Sequence, residues 1–216
     1  MSKISKTSLI AIVFMVIFSL SGLIVSQKSP SLSSVTLIIG IIVFFITWKT
    51  EKAEGNGDGL DLKKVPGQLK DKRVLLLIMM PMFMNIICTV LANFFVPEFI
   101  EHLKGRTDFL ALGKLPILII ELIIAALGEE IAWRAFFQKQ LAKVIPFVPA
   151  LIISSALFAI CHITRGNVVV VLYDILFVFI NAVFYGMIFR KTDNAYVSTL
   201  AHFLANLLGI IEVMFL

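Results

Sequence analysis

The segment ALGEEIAWRAFF, residues 126–137, places two adjacent carboxylates and an arginine within an otherwise apolar run. Glu130 and Arg134 are four residues apart, so on a helix they share one face and can form an ion pair. Glu129 points about 100° away around such a helix and has no basic residue three or four positions from it. An ion pair explains Glu130 and Arg134 as structural residues. Glu129 is therefore a candidate general base for a water molecule.

Two histidines and an asparagine also lie in apolar segments. His162 lies near the end of one segment, and His202 precedes Asn206 by four residues in the last segment. A glutamate can accept a proton from water, while histidine and asparagine side chains can hold the water or donate to a developing oxyanion. This set is suited to hydrolysis of a peptide bond without a serine or cysteine nucleophile. The same glutamate and histidines could instead bind a catalytic zinc ion, although their spacing is not HExxH; the candidate ligands are His162, His202 and Glu129.

The composition indicates the class of protein that holds these residues. Of 216 residues, 59% are hydrophobic and 15% are charged. A soluble domain of this length cannot bury so much apolar surface, and the apolar runs are long and unbroken. We therefore predict an all-α, polytopic bundle of transmembrane helices in the lipid bilayer. The formal charge of +5 does not indicate a nucleic-acid partner, because most basic residues flank apolar segments as membrane topology requires.

Seven apolar segments are candidates for transmembrane helices. They lie near residues 8–25, 32–48, 74–96, 115–135, 147–163, 168–189 and 195–216. We predict a two-helix N-terminal unit over 1–48, a mobile polar cytoplasmic linker loop over 49–73, and a five-helix catalytic bundle over 74–216. Residues 97–114 are expected to lie at the membrane interface.

The distribution of lysine and arginine predicts the orientation of the chain. With the N-terminus inside, thirteen of these residues fall in inside segments and five in outside segments. The N-terminus is therefore predicted to be cytoplasmic and the C-terminus to lie outside. We also expect the fourth helix to continue past Arg134 to about Val144, which brings Glu129 nearer the middle of the membrane. The site would then be a cavity open to the cytoplasmic side.

Three motifs occur in order on separate predicted helices and together resemble one family. They are EExxxR (Glu129, Glu130, Arg134), FxxxH (Phe158, His162) and HxxxN (His202, Asn206). This pattern resembles the CPBP intramembrane proteases, also called the CAAX prenyl endopeptidase or abortive-infection family. The stretch GMIFRKTDNAYVSTLAHFLAN, residues 186–206, is similar to the last part of that family. The resemblance covers about residues 115–210.

The resemblance implies a glutamate-dependent endopeptidase that cleaves a membrane-associated peptide or protein. Glu129 would activate the water, and Glu130 with Arg134 would brace the site. His162 would hold the water or polarise the substrate. The family has also been given a metal mechanism, so that the resemblance leaves the zinc alternative open.

The remaining motif residues would act on the intermediate and the substrate. His202 with Asn206 would stabilise the oxyanion, and Phe158 and Trp133 would contact the substrate. Trp133 stands where the family often has phenylalanine, and Ala135 where it often has glycine. Neither difference removes a reacting group.

Two other functions use the same residues differently. A proton-coupled transporter would use the glutamates and histidines as relay groups. A bacteriocin-immunity or scaffold protein on the same fold would need none of them for chemistry. The small size and the Lys-, Ile- and Phe-rich composition favour a bacterial cell membrane, where peptide processing or immunity is expected more than cleavage of prenylated proteins. The oligomeric state is left open.

Overall fold

The computed structural model describes residues 4–21, 32–53, 55, 57–107, 110 and 113–215. In these ranges the chain is helical and forms no strand, which confirms the all-α prediction. The helices are α1 (Lys6–Ser21), α2 (Leu32–Ala53), α3 (Val65–Gln68), α4 (Lys72–Phe95), α5 (Phe99–Thr107), α6 (Leu115–Glu130), a π-helix (Ile131–Gln138), α7 (Lys139–Leu141), α8 (Phe147–Ile160), α9 (Val168–Thr192) and α10 (Ala195–Phe215).

Four of the described helices are long and apolar enough to cross a membrane: the Ser34–Ala53 part of α2, and α4, α9 and α10. The apolar helices α1 and α8 are shorter, and α8 has 14 residues. At 1.5 Å per residue α8 is only about 21 Å long, less than the thickness of the hydrocarbon core. The chain is an integral membrane protein, while the count of seven crossings and the orientation stay predictions. Residues 22–25 of the first predicted segment lie outside the described residues.

The helix that carries the EExxxR motif is longer than its apolar run. α6, the π-helix and α7 follow one another without a break from residue 115 to residue 141, and a turn continues to Val144. The expectation that this helix continues past Arg134 is therefore confirmed. The backbone N–H of Lys139 donates to the carbonyl of Arg134, the i→i+5 bond that defines a π-helix. Such segments occur frequently at functional sites.

Two glycines let neighbouring helices approach the π-helix closely. A Cβ on Gly40 of α2 would lie 2.6 Å from the Cβ of Ala132, and one on Gly186 of α9 would lie 2.4 Å from the Gln138 Oε1. Gln138 Nε2 also donates to the Gly186 carbonyl at 3.1 Å. Because all eight residues of the π-helix are buried, it is enclosed by its neighbours, including the N-terminal helices.

The region 49–73, predicted as a mobile polar linker, contacts the rest of the bundle in the structure. α2 continues to Ala53, and the segment that follows is hydrogen-bonded to the connection between α9 and α10. The Asp61 N–H donates to the Asn194 Oδ1 at 3.2 Å, the Asn194 Nδ2 donates to the Asp61 carbonyl at 2.7 Å, and the Gln68 Nε2 donates to the Thr192 carbonyl at 2.7 Å. A single buried asparagine thus supplies both a donor and an acceptor to the backbone of this segment.

Basic residues of the predicted inside segments gather at the same end of the bundle. Lys139 pairs with Asp193 at 2.6 Å, and Lys191 pairs with Asp71 at 2.8 Å. Lys143 pairs with Glu51. The grouping of these loops at one end agrees with the predicted alternation of the helices.

Candidate active site

The EExxxR motif forms a buried ion pair, as its spacing predicts. The Arg134 Nε lies 3.5 Å from the Glu130 Oε2, and both side chains are almost completely buried. The Arg134 Nη2 also donates to the Ala182 carbonyl of α9 at 3.2 Å, and the guanidinium lies 4.4 Å from the centre of the Phe158 ring. The pair therefore joins the motif helix to α8 and α9.

His202 lies between the two glutamates and contacts both. Its Nδ1 is 3.0 Å from the Glu130 Oε1, and its Nε2 is 3.6 Å from the Glu129 Oε2. The two carboxylates differ in exposure: the Glu130 side chain is 0% exposed and the Glu129 side chain 24%. The buried Glu130 carboxylate thus faces the Nδ1 of His202, and the partly exposed Glu129 carboxylate faces the Nε2 of the same imidazole. Helical spacing alone could not predict this contact, because His202 lies on another helix.

Tyr185 of α9 is a site residue that the sequence interpretation missed. Its ring stacks on His202 with a centroid distance of 4.4 Å and an interplanar angle of 16°. The available signal was Asn181, a polar residue in the same apolar segment four positions before Tyr185, because residues four apart share a helix face. The Phe158 ring contacts His202 from another side, with a centroid distance of 6.0 Å. The imidazole is thus fixed by two rings and two carboxylates.

His162 lies just after the end of α8, where the helix closes with a turn. Its Nδ1 is 2.8 Å from the Phe158 carbonyl oxygen. Because a carbonyl can only accept, the Nδ1 carries the proton of this hydrogen bond. In the neutral imidazole the Nε2 is then an acceptor. The turn thus selects the tautomer that offers a lone pair at Nε2.

Most of the eight predicted site residues line one cavity of about 770 Å³. Six of them line it: Glu129, Trp133, Phe158, His162, His202 and Asn206. The remaining two, Glu130 and Arg134, lie behind this lining and contact His202 and Phe158 from the protein interior. The volume falls in the range of about 300–1,000 Å³ typical of ligand pockets.

The cavity extends away from the end of the bundle that holds Asp61 and Asn194. Its lining continues to Arg106 and Thr107 of α5 and to Glu121 in the first half of α6. With the N-terminus inside, α5 belongs to the outer side. In that predicted orientation the cavity extends toward the outer face, and the side of the membrane to which it opens stays a prediction.

The candidate metal ligands are not arranged as a metal site in this structure. Among the described residues, no group of three or more His, Cys, Asp or Glu side chains is placed to hold a metal ion. We therefore derive no step through a metal.

A comparison with protein-family models matches this geometry to a known family. Residues 111–208 match the model described as type II CAAX prenyl endopeptidase Rce1-like. All three motifs lie within this Rce1-like segment, which runs from just before α6 into α10, so the predicted family is confirmed. The match supports a protease of the CAAX type embedded in the membrane. No match was found among curated proteins or among solved structures.

Proposed function

We propose that the chain is an intramembrane endopeptidase in which Glu129 activates a water molecule for hydrolysis of a peptide bond. The observation that carries this proposal is the contrast between the two glutamates. Glu130 is sealed and paired with Arg134, whereas Glu129 lines a cavity of about 770 Å³ and remains partly exposed. A carboxylate in such a place can receive a proton from water that enters the cavity.

In the first step, the Glu129 carboxylate accepts a proton from water while the water oxygen attacks the carbonyl carbon of the scissile bond. The His162 Nε2 can accept the second hydrogen of the same water and orient its lone pair, because the Nδ1 proton is held by the Phe158 carbonyl. Glu129 and His162 line the same cavity, which supports their joint action. The proton on Glu129 then passes to the leaving nitrogen, which departs as an amine.

The developing oxyanion needs donors that are already in place. His202 and Asn206 lie one helical turn apart on α10 and both line the cavity. The His202 Nε2 is 3.6 Å from Glu129, beyond hydrogen-bonding distance, so that an Nε2–H can point to a substrate oxygen beside the activated water. We assign the His202 Nε2–H and the Asn206 amide to the oxyanion.

Glu130 and Arg134 support this chemistry from behind. Glu130 accepts from the His202 Nδ1 at 3.0 Å, which orients the imidazole. Because Nδ1 carries this proton, the proposed Nε2–H donor requires His202 to act as an imidazolium. With His202 protonated, two carboxylates face one imidazolium and one guanidinium, so the set is neutral overall. Charge neutrality lowers the cost of burying four ionised groups at membrane depth.

The substrate is proposed to be the C-terminal region of a membrane-associated protein or peptide, with a CAAX box as the first candidate. The family description names CAAX prenyl endopeptidases, and the cavity is lined by aromatic as well as polar side chains. Trp133 and Phe158 contact each other edge to face at 6.0 Å, and we propose that their rings contact the side chains of the substrate.

The proposal is tested with purified protein in proteoliposomes and an internally quenched peptide that ends in a farnesylated CAAX box. The wild-type protein is expected to release the last three residues, identified by mass spectrometry, and Glu129→Gln is expected to release none. The same peptide without the farnesyl group separates a requirement for the lipid from a requirement for the sequence.

Three results would contradict the proposal or parts of it. Equal cleavage by the wild type and Glu129→Gln would remove Glu129 as the base. Glu129-dependent proton flux without cleavage of either peptide would favour the transporter. Retained biological function in Glu129→Gln, His162→Ala and His202→Ala would favour an immunity or scaffold protein.

A further inference from the structure

A pair of asparagines connects three helices beside the candidate active site. The Asn181 Nδ2 of α9 donates to the Asn85 Oδ1 of α4 at 2.8 Å. The Asn85 Nδ2 donates in turn to the carbonyl of Ala205 on α10 at 2.8 Å. Asn85 and Asn181 both line the cavity.

The orientation of both amides follows from this chain of hydrogen bonds. The Ala205 carbonyl can only accept, so it must face the NH₂ group of Asn85 rather than its oxygen. The Asn85 oxygen therefore faces Asn181, and the Asn181 NH₂ group must face that oxygen. The Asn181 Oδ1 is left pointing away from the pair as an acceptor.

The Asn181 Oδ1 has no donor within the part of the chain that the structure describes. The residue is only 9% exposed, so that this acceptor lacks a partner in a buried position. Five other buried polar atoms also lack a hydrogen-bond partner among the described residues, on Glu130, Arg134, Gln140, Ser155 and Thr199. None of those five residues lines the cavity, whereas Asn181 does.

Asn181 also lies at the level of the proposed catalytic groups. The next residue of α9, Ala182, accepts the hydrogen bond from Arg134. At the other end of the chain of amides, Ala205 immediately precedes Asn206 on α10. Asn181 is therefore next in sequence to the residue that Arg134 contacts, and it shares the cavity with Asn206.

We propose that the Asn181 Oδ1 accepts a hydrogen bond from a backbone N–H of the peptide substrate. A peptide that enters this cavity loses its hydrogen bonds to water, and each amide left unpaired in a buried site weakens binding. An amide oxygen that is already desolvated and fixed in orientation can satisfy one such N–H with little loss of conformational entropy. Asn181 thus acts in substrate positioning. This inference rests on the proposed function.

The test replaces the substrate N–H rather than only the protein side chain. The probe is the quenched, farnesylated CAAX peptide, together with versions in which one non-scissile amide at a time is an ester, which lacks the N–H. For the wild-type protein, one of these esters is expected to lower kcat/KM about five- to tenfold, as the loss of one net hydrogen bond predicts. For Asn181→Leu, that ester and the parent peptide are expected to be cleaved with equal kcat/KM.

Two further variants separate substrate binding from a structural role. Ser155→Ala removes another buried, unpaired oxygen outside the cavity lining, and it is expected to keep the wild-type preference for the amide. Asn181→Leu leaves the Asn85 oxygen without its donor, which could prevent folding. The double variant Asn85→Leu/Asn181→Leu removes both partners, and the same loss of preference is expected.

The outcomes distinguish this inference from the proposed function. If no ester is discriminated by the wild type, or if Asn181→Leu and the double variant keep the wild-type pattern, Asn181 does not bind the substrate backbone, although Glu129-dependent cleavage stands. If the wild type cleaves the parent peptide no faster than Glu129→Gln, the proposed function fails first, and this inference fails with it.

Discussion

The cavity is bordered by two clusters that each combine a buried carboxylate, an arginine and a histidine. In the outer cluster, Arg106 of α5 donates to the Asp174 Oδ1 at 2.6 Å, and the His102 Nε2 lies 3.1 Å from the Asp174 Oδ2. In the motif cluster, Glu130 has the corresponding neighbours Arg134 and His202. The arrangement of acid, arginine and histidine is thus similar in both.

The motif cluster differs because it contains a second carboxylate. Asp174 is balanced by Arg106, and both of its oxygens are occupied. Glu130 is balanced by Arg134, so that Glu129 is an additional acid on the same histidine. Asp174 and Glu130 are both buried and paired with an arginine, so these two properties do not identify the proposed catalytic carboxylate. The group to test is the carboxylate that remains after the ion pair has been assigned.

The largest effect on stability is expected from Arg134→Met, which removes the guanidinium from the buried Glu130 carboxylate and leaves His202 as its remaining partner. The loss of one partner from a buried ion pair typically costs about 3–5 kcal/mol in the free energy of unfolding. Thermal unfolding in detergent micelles measures this change. Arg190→Met is the matched control, because Arg190 is exposed and its guanidinium lies over the Phe147 ring. An equal decrease in the two variants would show that Glu130 does not depend on Arg134.

A smaller effect is expected from Asp174→Asn in the outer cluster. Arg106 is 22% exposed and can turn toward solvent when its partner is neutral, so we expect a loss of about 2–3 kcal/mol in stability. Cleavage of the quenched peptide should decrease less than about tenfold, since Asp174 takes no part in the proposed chemistry. Glu101→Gln, which removes an exposed pair with Lys104, is the control. A loss of cleavage comparable to that of Glu129→Gln would end the distinction between the clusters.

The contact of Tyr185 with His202 is tested by comparing a variant that removes the ring with one that removes only the hydroxyl. Aromatic pairs contribute about 0.5–1.5 kcal/mol beyond the area they bury. Tyr185→Leu removes the stacked ring, and we expect kcat/KM to decrease about five- to tenfold through poorer orientation of the imidazole. Tyr185→Phe retains the ring and should remain within about twofold of the wild type. A larger loss in Tyr185→Phe would assign the function to the hydroxyl instead.

The smallest effect concerns Asp71, an ordinary ion pair outside the membrane-spanning helices. The Lys191 ammonium, 2.8 Å away, holds the pKa of Asp71 below its usual range, and the Arg73 N–H contributes to the same shift. Because the folded-state pKa is lowered, the contribution of Asp71 to stability is complete above the unfolded pKa of about 4. It is lost as the pH falls through the lowered folded value.

Asp71→Asn isolates this contribution, because asparagine is also a good N-cap for α4. Between pH 7 and pH 3, the melting temperature of the wild type should decrease slightly more than that of the variant. Identical decreases would show that the pair with Lys191 adds no measurable stability. The difference measures how much an exposed ion pair contributes to stability, and the effects at the two buried clusters are compared with it.

The sequence predicted the parts of the site that depend on local spacing. The Glu130–Arg134 pair follows from a separation of four residues, and the long apolar runs identified the helical membrane class. The extension of the motif helix beyond Arg134 was also predicted, as a way to bring Glu129 nearer the middle of the membrane. These inferences use only helix geometry and the cost of burying charge.

The remaining features depend on contacts between helices that no local pattern encodes. His202 contacts both glutamates, and Tyr185 stacks on His202, because α9 and α10 pack beside the motif helix. The direction of the cavity is set by where α5 folds back on the bundle. The docking of the segment after α2 depends on Asn194, which is more than a hundred residues away in sequence.

The central claim is that Glu129 is the reactive acid while Glu130 is structural, and Glu129→Gln tests it most directly. The measurement combines kcat/KM for the quenched peptide with the melting temperature of the same purified protein in micelles. We predict a decrease in kcat/KM of at least about a thousandfold with a melting temperature within about 2 °C of the wild type, because Glu129 makes no buried ion pair with an arginine. A variant that retains cleavage, or one that loses cleavage only because it unfolds, would contradict the account.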